Sequence, residues 1–251
     1  MIFHFTVLFF SIVFGVGLEL VSQSSILASW SWYLLAIGPL VVISLVASRR
    51  LTERFADAFI PILLSLSAPT LLSLIDSPGK QQVFVVLCAA MYYFALLGNY
   101  RLRHAPTDKT AEAFLNTAAM AAMFFYYAGL YGFYLNFSFP LWGLMLLYFL
   151  GTALTSYETF MSVDEKQRRR VILYSALLGL IMGEMVWVMS LWPFGYLTTG
   201  ALGIVCYFII WDISFDAFRE TLSLRKAALR ILFFLGIIFL LLLSSPWRIL
   251  V

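Results

Sequence analysis

Residues 166–191 read KQRRRVILYSALLGLIMGEMVWVMSL, a basic cluster followed directly by a long apolar run. A bilayer core about 30 Å thick requires about 20 apolar residues per helix, and this run is long enough. Lipid offers no partners for free backbone groups, so each crossing must be a helix or part of a closed barrel. The run is continuous and does not alternate between polar and apolar residues. It therefore predicts a transmembrane helix.

The composition extends this prediction to the whole chain. Of its 251 residues, 63% are hydrophobic and 12% are charged, whereas soluble domains average about 25% charged residues. The mean hydropathy is +0.94. We therefore predict an all-α fold, a polytopic transmembrane helical bundle. It forms a single integral membrane domain over residues 1–251, and no loop is long enough to fold into a soluble domain.

The apolar runs predict nine spans of similar length. They cover residues 2–21, 31–48, 55–75, 82–100, 111–134, 140–157, 171–191, 196–214 and 229–246. The first apolar run is longer than a typical signal-peptide core, and no basic residue precedes it. We therefore expect a retained helix there. Short, nearly uncharged connections pair the first eight spans into four hairpins, and the ninth span is left over.

The basic residues predict the orientation of these spans. All of the 16 Lys and Arg residues except Lys80 and Arg248 fall in four clusters that occupy every second gap. The clusters are Arg49, Arg50 and Arg54; Arg101, Arg103 and Lys109; Lys166, Arg168, Arg169 and Arg170; and Arg219, Arg225, Lys226 and Arg230. Cytoplasmic loops retain positive charge, so we place the N-terminus inside and the C-terminus outside.

The same clusters limit what the charge implies about partners and location. The net charge of +3 reflects the predicted inner-face excess, so we infer membrane lipids as partners and no nucleic acid. We expect a bacterial-type plasma membrane. Five tryptophans lie at predicted outer ends, where the headgroup layer suits an indole ring. They are Trp30, Trp32, Trp142, Trp192 and Trp247.

The chain contains no motif with a known chemistry. His4 and His104 are far apart in sequence, and we predict neither a metal site nor a cofactor. Cys88 and Cys206 lie within spans and are typical of packing residues. Beside the last basic cluster we expect an ion pair between Asp216 and Arg219, which stand three residues apart on one helix. The sequence identifies no catalytic residue.

Glu184 is the charged residue predicted to lie deepest in the bilayer. Counted from Val171, it lies about 20 Å into a span of about 30 Å. A carboxylate in hydrocarbon is costly, and it usually faces the bundle interior or finds a partner. Glu184 is therefore a candidate proton or substrate site, and Glu19 is expected in the same outer layer. The alternative is a structural hydrogen bond to a neighbouring helix.

Small residues beside Glu184 predict a helix-packing seam. Ser175, Gly179 and Gly183 recur every four residues, a pattern that lets two helices approach closely in lipid. We expect the alanine-rich fifth span to pack there and Glu184 to lie at the edge of the contact. The tyrosines of the fifth span are typical of a boundary anchor, with an outer vestibule as the alternative. They are Tyr126, Tyr127, Tyr131 and Tyr134.

Three functions fit these patterns. The first is a non-catalytic scaffold or accessory subunit of a membrane assembly, with a membrane-protein partner or a homo-oligomer, for which short loops and small-residue seams suffice. The second is a small-solute or proton-coupled transporter that uses Glu184, although transporters often carry several charges within their spans. The third is an enzyme acting on a lipid-linked substrate, with arginines holding phosphate. Topology alone already accounts for those arginines, so the enzyme has the least support. We rank the scaffold or accessory subunit first, the transporter second and the enzyme third.

Overall fold

The computed structural model describes residues 2–23, 30–53, 56–105, 107–137, 139–161 and 167–244. Within these ranges, the structure does not describe the side chains of residues 2, 3, 23, 30–36 and 56. Several features named above therefore lie outside the described residues. They are Arg54, Lys166, Trp247, Arg248, the side chains of Trp30 and Trp32, and the C-terminus.

The described ranges contain nine α-helices and no strand, which confirms the all-helical prediction. The helices are α1 (Ile2–Gln23), α2 (Trp30–Thr52), α3 (Phe59–Leu72), α4 (Pro78–His104), α5 (Lys109–Asn136), α6 (Leu141–Met161), α7 (Arg168–Ser190), α8 (Tyr196–Phe218) and α9 (Leu224–Ser244). Each predicted span falls on one of them. A short 3-10 helix over Ala56–Ala58 precedes α3.

Six helices are long and apolar enough to cross a membrane: α1, α4, α5, α7, α8 and α9. The search covers the described residues only, and the side chains at the start of α2 are not among them. Helix α3 has 14 residues, fewer than the predicted span over residues 55–75, because a 3-10 turn precedes it and a turn follows Leu72. Nine crossings and their direction remain a prediction.

The helix ends extend past the predicted spans into the basic clusters. Helix α4 continues through Arg101 and Arg103 to His104, and α7 begins at Arg168. Helix α9 begins at Leu224, before the predicted residue 229. Arginine is a good helix former whose long stem reaches from an apolar surface into water. A basic residue can therefore end the apolar run without ending the helix.

The first compact unit covers Met1–Gly129 and holds α1–α4 with most of α5. Helix α1 packs against α4, and α2 packs against α3. Phe14 of α1 stacks on Tyr92 of α4 with ring centroids 4.2 Å apart. Close backbone approach contributes as well, because a Cβ at Gly98 would lie 3.0 Å from the carbonyl oxygen of Ala111.

The second compact unit covers Leu130–Val251 and is built around the antiparallel pair α6 and α7. Helix α8 packs against α7, and α9 packs against α8. Phe160, Val171, Leu178 and Phe218 form a buried cluster where α6, α7 and α8 meet. In contrast, no described residue of α9 is buried. Helix α9 is therefore the peripheral helix of this unit.

Candidate functional site

The packed face of α7 lies directly against the backbone of α6. A Cβ placed on Gly179 would come within 2.7 Å of the carbonyl oxygen of Phe149. A Cβ on Gly183 would lie 3.1 Å from the carbonyl oxygen of Met145. Ser175 is buried on the same face, and its hydroxyl has no hydrogen-bond partner among the described residues. Small side chains at these positions therefore allow the two helices to approach closely.

The sequence suggested α5 as the partner of this seam, whereas the atoms nearest to Gly179 and Gly183 belong to α6. Met145, Phe149 and Ala153 follow one another at intervals of four residues along α6. Such a row forms a ridge on a helix, and the glycines of α7 form a matching groove. Helices α6 and α7 are also consecutive in sequence, which favours pairing between them.

The opposite face of α7 is exposed along its whole length. Six exposed residues follow one another at alternating intervals of four and three: Leu173, Leu177, Leu180, Glu184, Trp187 and Leu191. This spacing keeps side chains on one narrow line, as in the contact seam of a coiled coil. We call these six residues the exposed α7 stripe. Glu184 is its only charged member.

Glu184 lies at the centre of this stripe and has no partner among the residues that the structure describes. No hydrogen bond or ion pair within the described part of the chain involves its carboxyl group. At 1.5 Å per residue, Glu184 lies about 21 Å beyond Arg170 and about 9 Å before Ser190. Its carboxyl group is thus exposed well inside a helix that is long and apolar enough to cross a membrane.

The position of Glu184 differs from the expectation that it borders the packed seam. The buried face of α7 is wider than its small residues indicated, because five larger residues share it. They are Val171, Leu178, Met182, Val186 and Met189. At 100° per residue, Glu184 lies nearly opposite Met182 and Val186. The carboxyl group therefore points away from the packed interior.

Glu19, the second predicted site residue, lies on α1 in the first unit. Its side chain is half-buried, and it takes part in an interaction within the chain. The hydroxyl of Ser22 donates to the backbone carbonyl of Glu19 at 2.8 Å. Glu19 thus differs from Glu184 in taking part in an interaction among the described residues.

A charged cluster joins α8 to α9. Arg230 of α9 pairs with Asp212 at 2.6 Å and with Asp216 at 2.7 Å, both on α8. The expected pair between Asp216 and Arg219 is wrong, because the guanidinium of Arg219 lies 4.2 Å over the ring centre of Phe215. Asp212 and Arg230 are equally distant in sequence from Thr221, in the turn between α8 and α9. If α8 and α9 pack antiparallel across that turn, Asp212 and Arg230 lie opposite each other.

A buried hydroxyl cluster in the first unit was also missed. The hydroxyl of Ser44 lies 2.7 Å from that of Ser65 and 3.0 Å from that of Tyr92. Ser65 donates to the carbonyl oxygen of Pro61 at 2.9 Å. All three hydroxyl-bearing side chains are buried. The cluster links α2, α3 and α4, and no general base is among these partners. It therefore serves to hold the helices together.

The two cysteines and the tyrosines of α5 are the other residues that the sequence singled out. Cys88 and Cys206 are buried free thiols in separate units. No group of three His, Cys, Asp or Glu residues that could hold a metal ion occurs in the part of the chain that was searched. The tyrosines of α5 do not form one exposed stripe, because Tyr127 and Tyr131 are buried. The Tyr131 hydroxyl donates to the carbonyl oxygen of Met189 at 3.5 Å.

Comparison with known proteins identifies a family. The family described as "Protein of unknown function (DUF5656)" matches residues 48–245, which is more than half of the chain. The chain therefore belongs to this family. No curated protein and no solved structure matches it.

Proposed function

We propose that this member of the DUF5656 family is an integral membrane protein that acts as a non-catalytic scaffold or accessory subunit of a membrane assembly. In this proposal, the exposed α7 stripe is the surface through which it contacts another membrane-spanning helix. The observation that carries the proposal is the unpaired carboxyl group of Glu184 at the centre of that stripe.

The energetic argument concerns the environment of this carboxyl group. Insertion of an acidic residue at the centre of a transmembrane helix costs about 2.5–3.5 kcal/mol. Such residues almost always face a bundle interior or a water-filled cavity. Within its own unit, the Glu184 side chain is exposed and does not face the interior of the helix bundle. A second helix packed on the stripe would enclose the carboxyl group and offer it a hydrogen bond, which lipid tails cannot do.

The rest of the stripe suits helix packing. Its alternating spacing of three and four residues is the pattern that lets one helix insert side chains between those of another. Leu180 and Trp187 flank Glu184 and present large apolar surfaces, each about half exposed. Helix α9, which has no buried residue, supplies a surface for lipid contact in the same unit.

The proposal includes nine crossings, with the N-terminus on the cytoplasmic side of a bacterial-type plasma membrane. Basic ends of α4 and α7 support this orientation, because positive residues are retained in cytoplasmic loops. A carboxylate that couples proton and solute movement would line an internal pathway. The outward position of Glu184 therefore argues against the transporter alternative.

Native mass spectrometry of the chain purified in mild detergent tests the proposal. We expect a complex heavier than the 28.5 kDa of one chain, with protein subunits in fixed stoichiometry. Glu184→Leu should lower the fraction of that complex, whereas Glu112→Gln, which alters an exposed carboxylate at the start of α5, should not. A single chain that retains only lipid or a small molecule would contradict the proposal.

A further inference from the structure

We propose that one end of the second unit binds the phosphate headgroups of anionic phospholipids. The surface combines exposed basic residues on the first turns of α7 and α9 with two exposed leucines where the chain enters α9. We call it the basic surface of the second unit: Arg168, Arg169, Leu222, Leu224, Arg225 and Lys226. It shares no residue with the exposed α7 stripe, so the inference does not depend on the proposed function.

The contacts of Arg170 bring the start of α7 beside the turn between α8 and α9. The guanidinium of Arg170 donates to the carboxylate of Glu220 at 3.2 Å. It also lies over the rings of Tyr174 and Phe218, 6.0 and 5.6 Å from their centres. Phe218 is the last residue of α8, and α9 begins at Leu224. The basic residues at the starts of α7 and α9 therefore lie at the same end of the unit.

The four basic residues of this surface are exposed and unpaired among the described residues. No hydrogen bond or ion pair within the described ranges involves their side chains. The other arginines at this end are engaged inside the unit: Arg170 by Glu220, Arg219 by the ring of Phe215, and Arg230 by Asp212 and Asp216. The basic surface of the second unit thus offers its positive charges to an anionic group from outside the chain.

The surroundings of these charges suit the headgroup layer of a membrane. Helices α7 and α9 are long and apolar enough to cross a membrane, and the basic residues lie on their first turns. Beside these charges, Leu224 is 85% exposed and Leu222 is 43% exposed. Cations next to exposed apolar side chains are typical of a surface at the boundary between acyl chains and headgroups. The guanidinium groups can then donate to phosphate oxygens while the leucines contact acyl chains.

The basic end of the first unit lacks this combination. Arg101 pairs with Asp108 at 2.7 Å, and Arg103 lies 3.9 Å from Glu53. No large apolar side chain is exposed within the described residues 49–53 and 99–112. Retention of positive charge on one side of a membrane accounts for cations in both units, but it does not require exposed leucines beside them. The pairing of cations with leucines therefore favours a lipid surface in the second unit.

Native mass spectrometry of the full chain in mild detergent measures lipid binding directly. Phosphatidylglycerol is the anionic probe, and phosphatidylethanolamine is the zwitterionic one. The variant Arg225→Gln/Lys226→Gln should bind phosphatidylglycerol about five- to thirty-fold more weakly, because each basic residue near anionic headgroups contributes about a factor of five. Its binding of phosphatidylethanolamine should not change. The pair on α9 is chosen because Asp164 and Glu165, which precede Arg168 closely, lie outside the described residues.

A matched variant in the first unit controls for net charge. Arg50→Gln/Lys109→Gln also removes two exposed cations that have no partner in the described part of the chain. It should leave binding of phosphatidylglycerol nearly unchanged, and circular dichroism checks that both double variants keep their helix content. Equal weakening by the two double variants would show a general effect of charge and would overturn the proposal. Equal binding of both lipids to the unaltered chain would overturn it as well.

A fluorescent label tests where the lipid binds. Leu224→Cys carries the label in vesicles of phosphatidylglycerol and phosphatidylethanolamine, in which only one lipid has brominated, quenching acyl chains. Val46→Cys, also exposed and one turn before Arg50, is the control, and the unaltered chain with its two buried cysteines gives the background.

We expect brominated phosphatidylglycerol to quench the label at residue 224 more strongly than brominated phosphatidylethanolamine does. This preference should decrease at high salt, because salt screens exposed charges. The label at residue 46 should show no such preference. Equal quenching by the two lipids at residue 224, or the same preference at both positions, would overturn the proposal.

Discussion

The two units of the chain use their polar side chains differently. In the first unit, the hydroxyl of Ser44 lies 2.7 Å from that of Ser65 and 3.0 Å from that of Tyr92, on three separate helices. In the second unit, Ser156 and Tyr207 make a comparable contact at 3.4 Å, which is long for a hydrogen bond between hydroxyls. The hydrogen bonds of the Ser44 cluster are thus shorter than the contact between Ser156 and Tyr207.

The second unit compensates with close packing and with charged pairs near its helix ends. The backbone of α6 reaches Gly179 and Gly183, and Arg230 joins α8 to α9. Glu184 of α7 takes no part in this packing and is exposed. The hydroxyls of the Ser44 cluster are thus enclosed within the first unit, whereas the carboxyl group of Glu184 is exposed on the surface of the second. A surface for a partner is therefore expected in the second unit.

The largest effect is expected at the contact between α6 and α7. Gly179→Val places side-chain atoms against the carbonyl oxygen of Phe149 and should lower the free energy of unfolding by about 3 kcal/mol. Gly236→Val is the matched control on α9, because a Cβ there meets nothing within 4 Å. Denaturant unfolding in detergent, followed by circular dichroism, measures both. Equal losses would show that close approach does not stabilise this unit.

The next effect concerns the buried hydroxyl cluster of the first unit. Ser44→Ala leaves the Tyr92 hydroxyl buried without this partner, so we expect a loss of about 2 kcal/mol in unfolding free energy. Ser156→Ala in the second unit removes the longer contact to Tyr207 and should cost less than half as much. The same unfolding measurement compares the two variants. A larger loss for Ser156→Ala would reverse the contrast drawn between the units.

A smaller effect is expected for the charged cluster between α8 and α9. Arg230→Gln leaves Asp212 and Asp216 as neighbouring like charges, and the side chain of Arg230 is 37% exposed. We therefore expect a loss of about 1 kcal/mol, since partial exposure weakens the pairs. Arg225→Gln, an exposed arginine on the first turn of α9, should leave stability unchanged. If the two variants behave alike, the pairs contribute nothing measurable.

The smallest effect on folding is expected at Glu184. Because its carboxyl group has no partner within the described residues, Glu184→Gln should change the unfolding free energy of the isolated chain by less than about 0.5 kcal/mol. Thermal unfolding in dilute detergent, where single chains predominate, measures this change. A loss as large as that of Ser44→Ala would mean that Glu184 is structural within one chain.

The sequence predicted the helices well because their main determinant is local. A continuous apolar run that follows a basic cluster identified α7, and continuous apolar runs located the other eight helices. The exact helix ends were less predictable from hydropathy. Helix α4 continues through Arg101, and α7 already begins at Arg168, although both arginines lie outside the apolar runs. For α3, hydropathy alone did not reveal the change from 3-10 to α-helix at Phe59.

The candidate site was only partly predictable because it depends on which face of a helix is covered. The depth of Glu184 follows from counting residues, but its outward direction depends on α6 occupying the opposite face. The Ser44 cluster joins residues far apart in sequence, and no short motif encodes such a contact. The pairing of Arg230 with Asp212 was accessible in principle, since both residues flank one tight turn.

The charged cluster that includes Arg230 has a consequence for how the last two helices enter the membrane. By the predicted spans, Asp212 and Arg230 lie near the inner boundary of the membrane, and Asp216 lies just beyond it. Each helix alone would leave its charges at this boundary without the opposite charges of the other helix. If α8 and α9 enter together as a hairpin, the opposite charges already lie side by side. We therefore expect α8 and α9 to be more stable in the membrane as a pair than either helix alone.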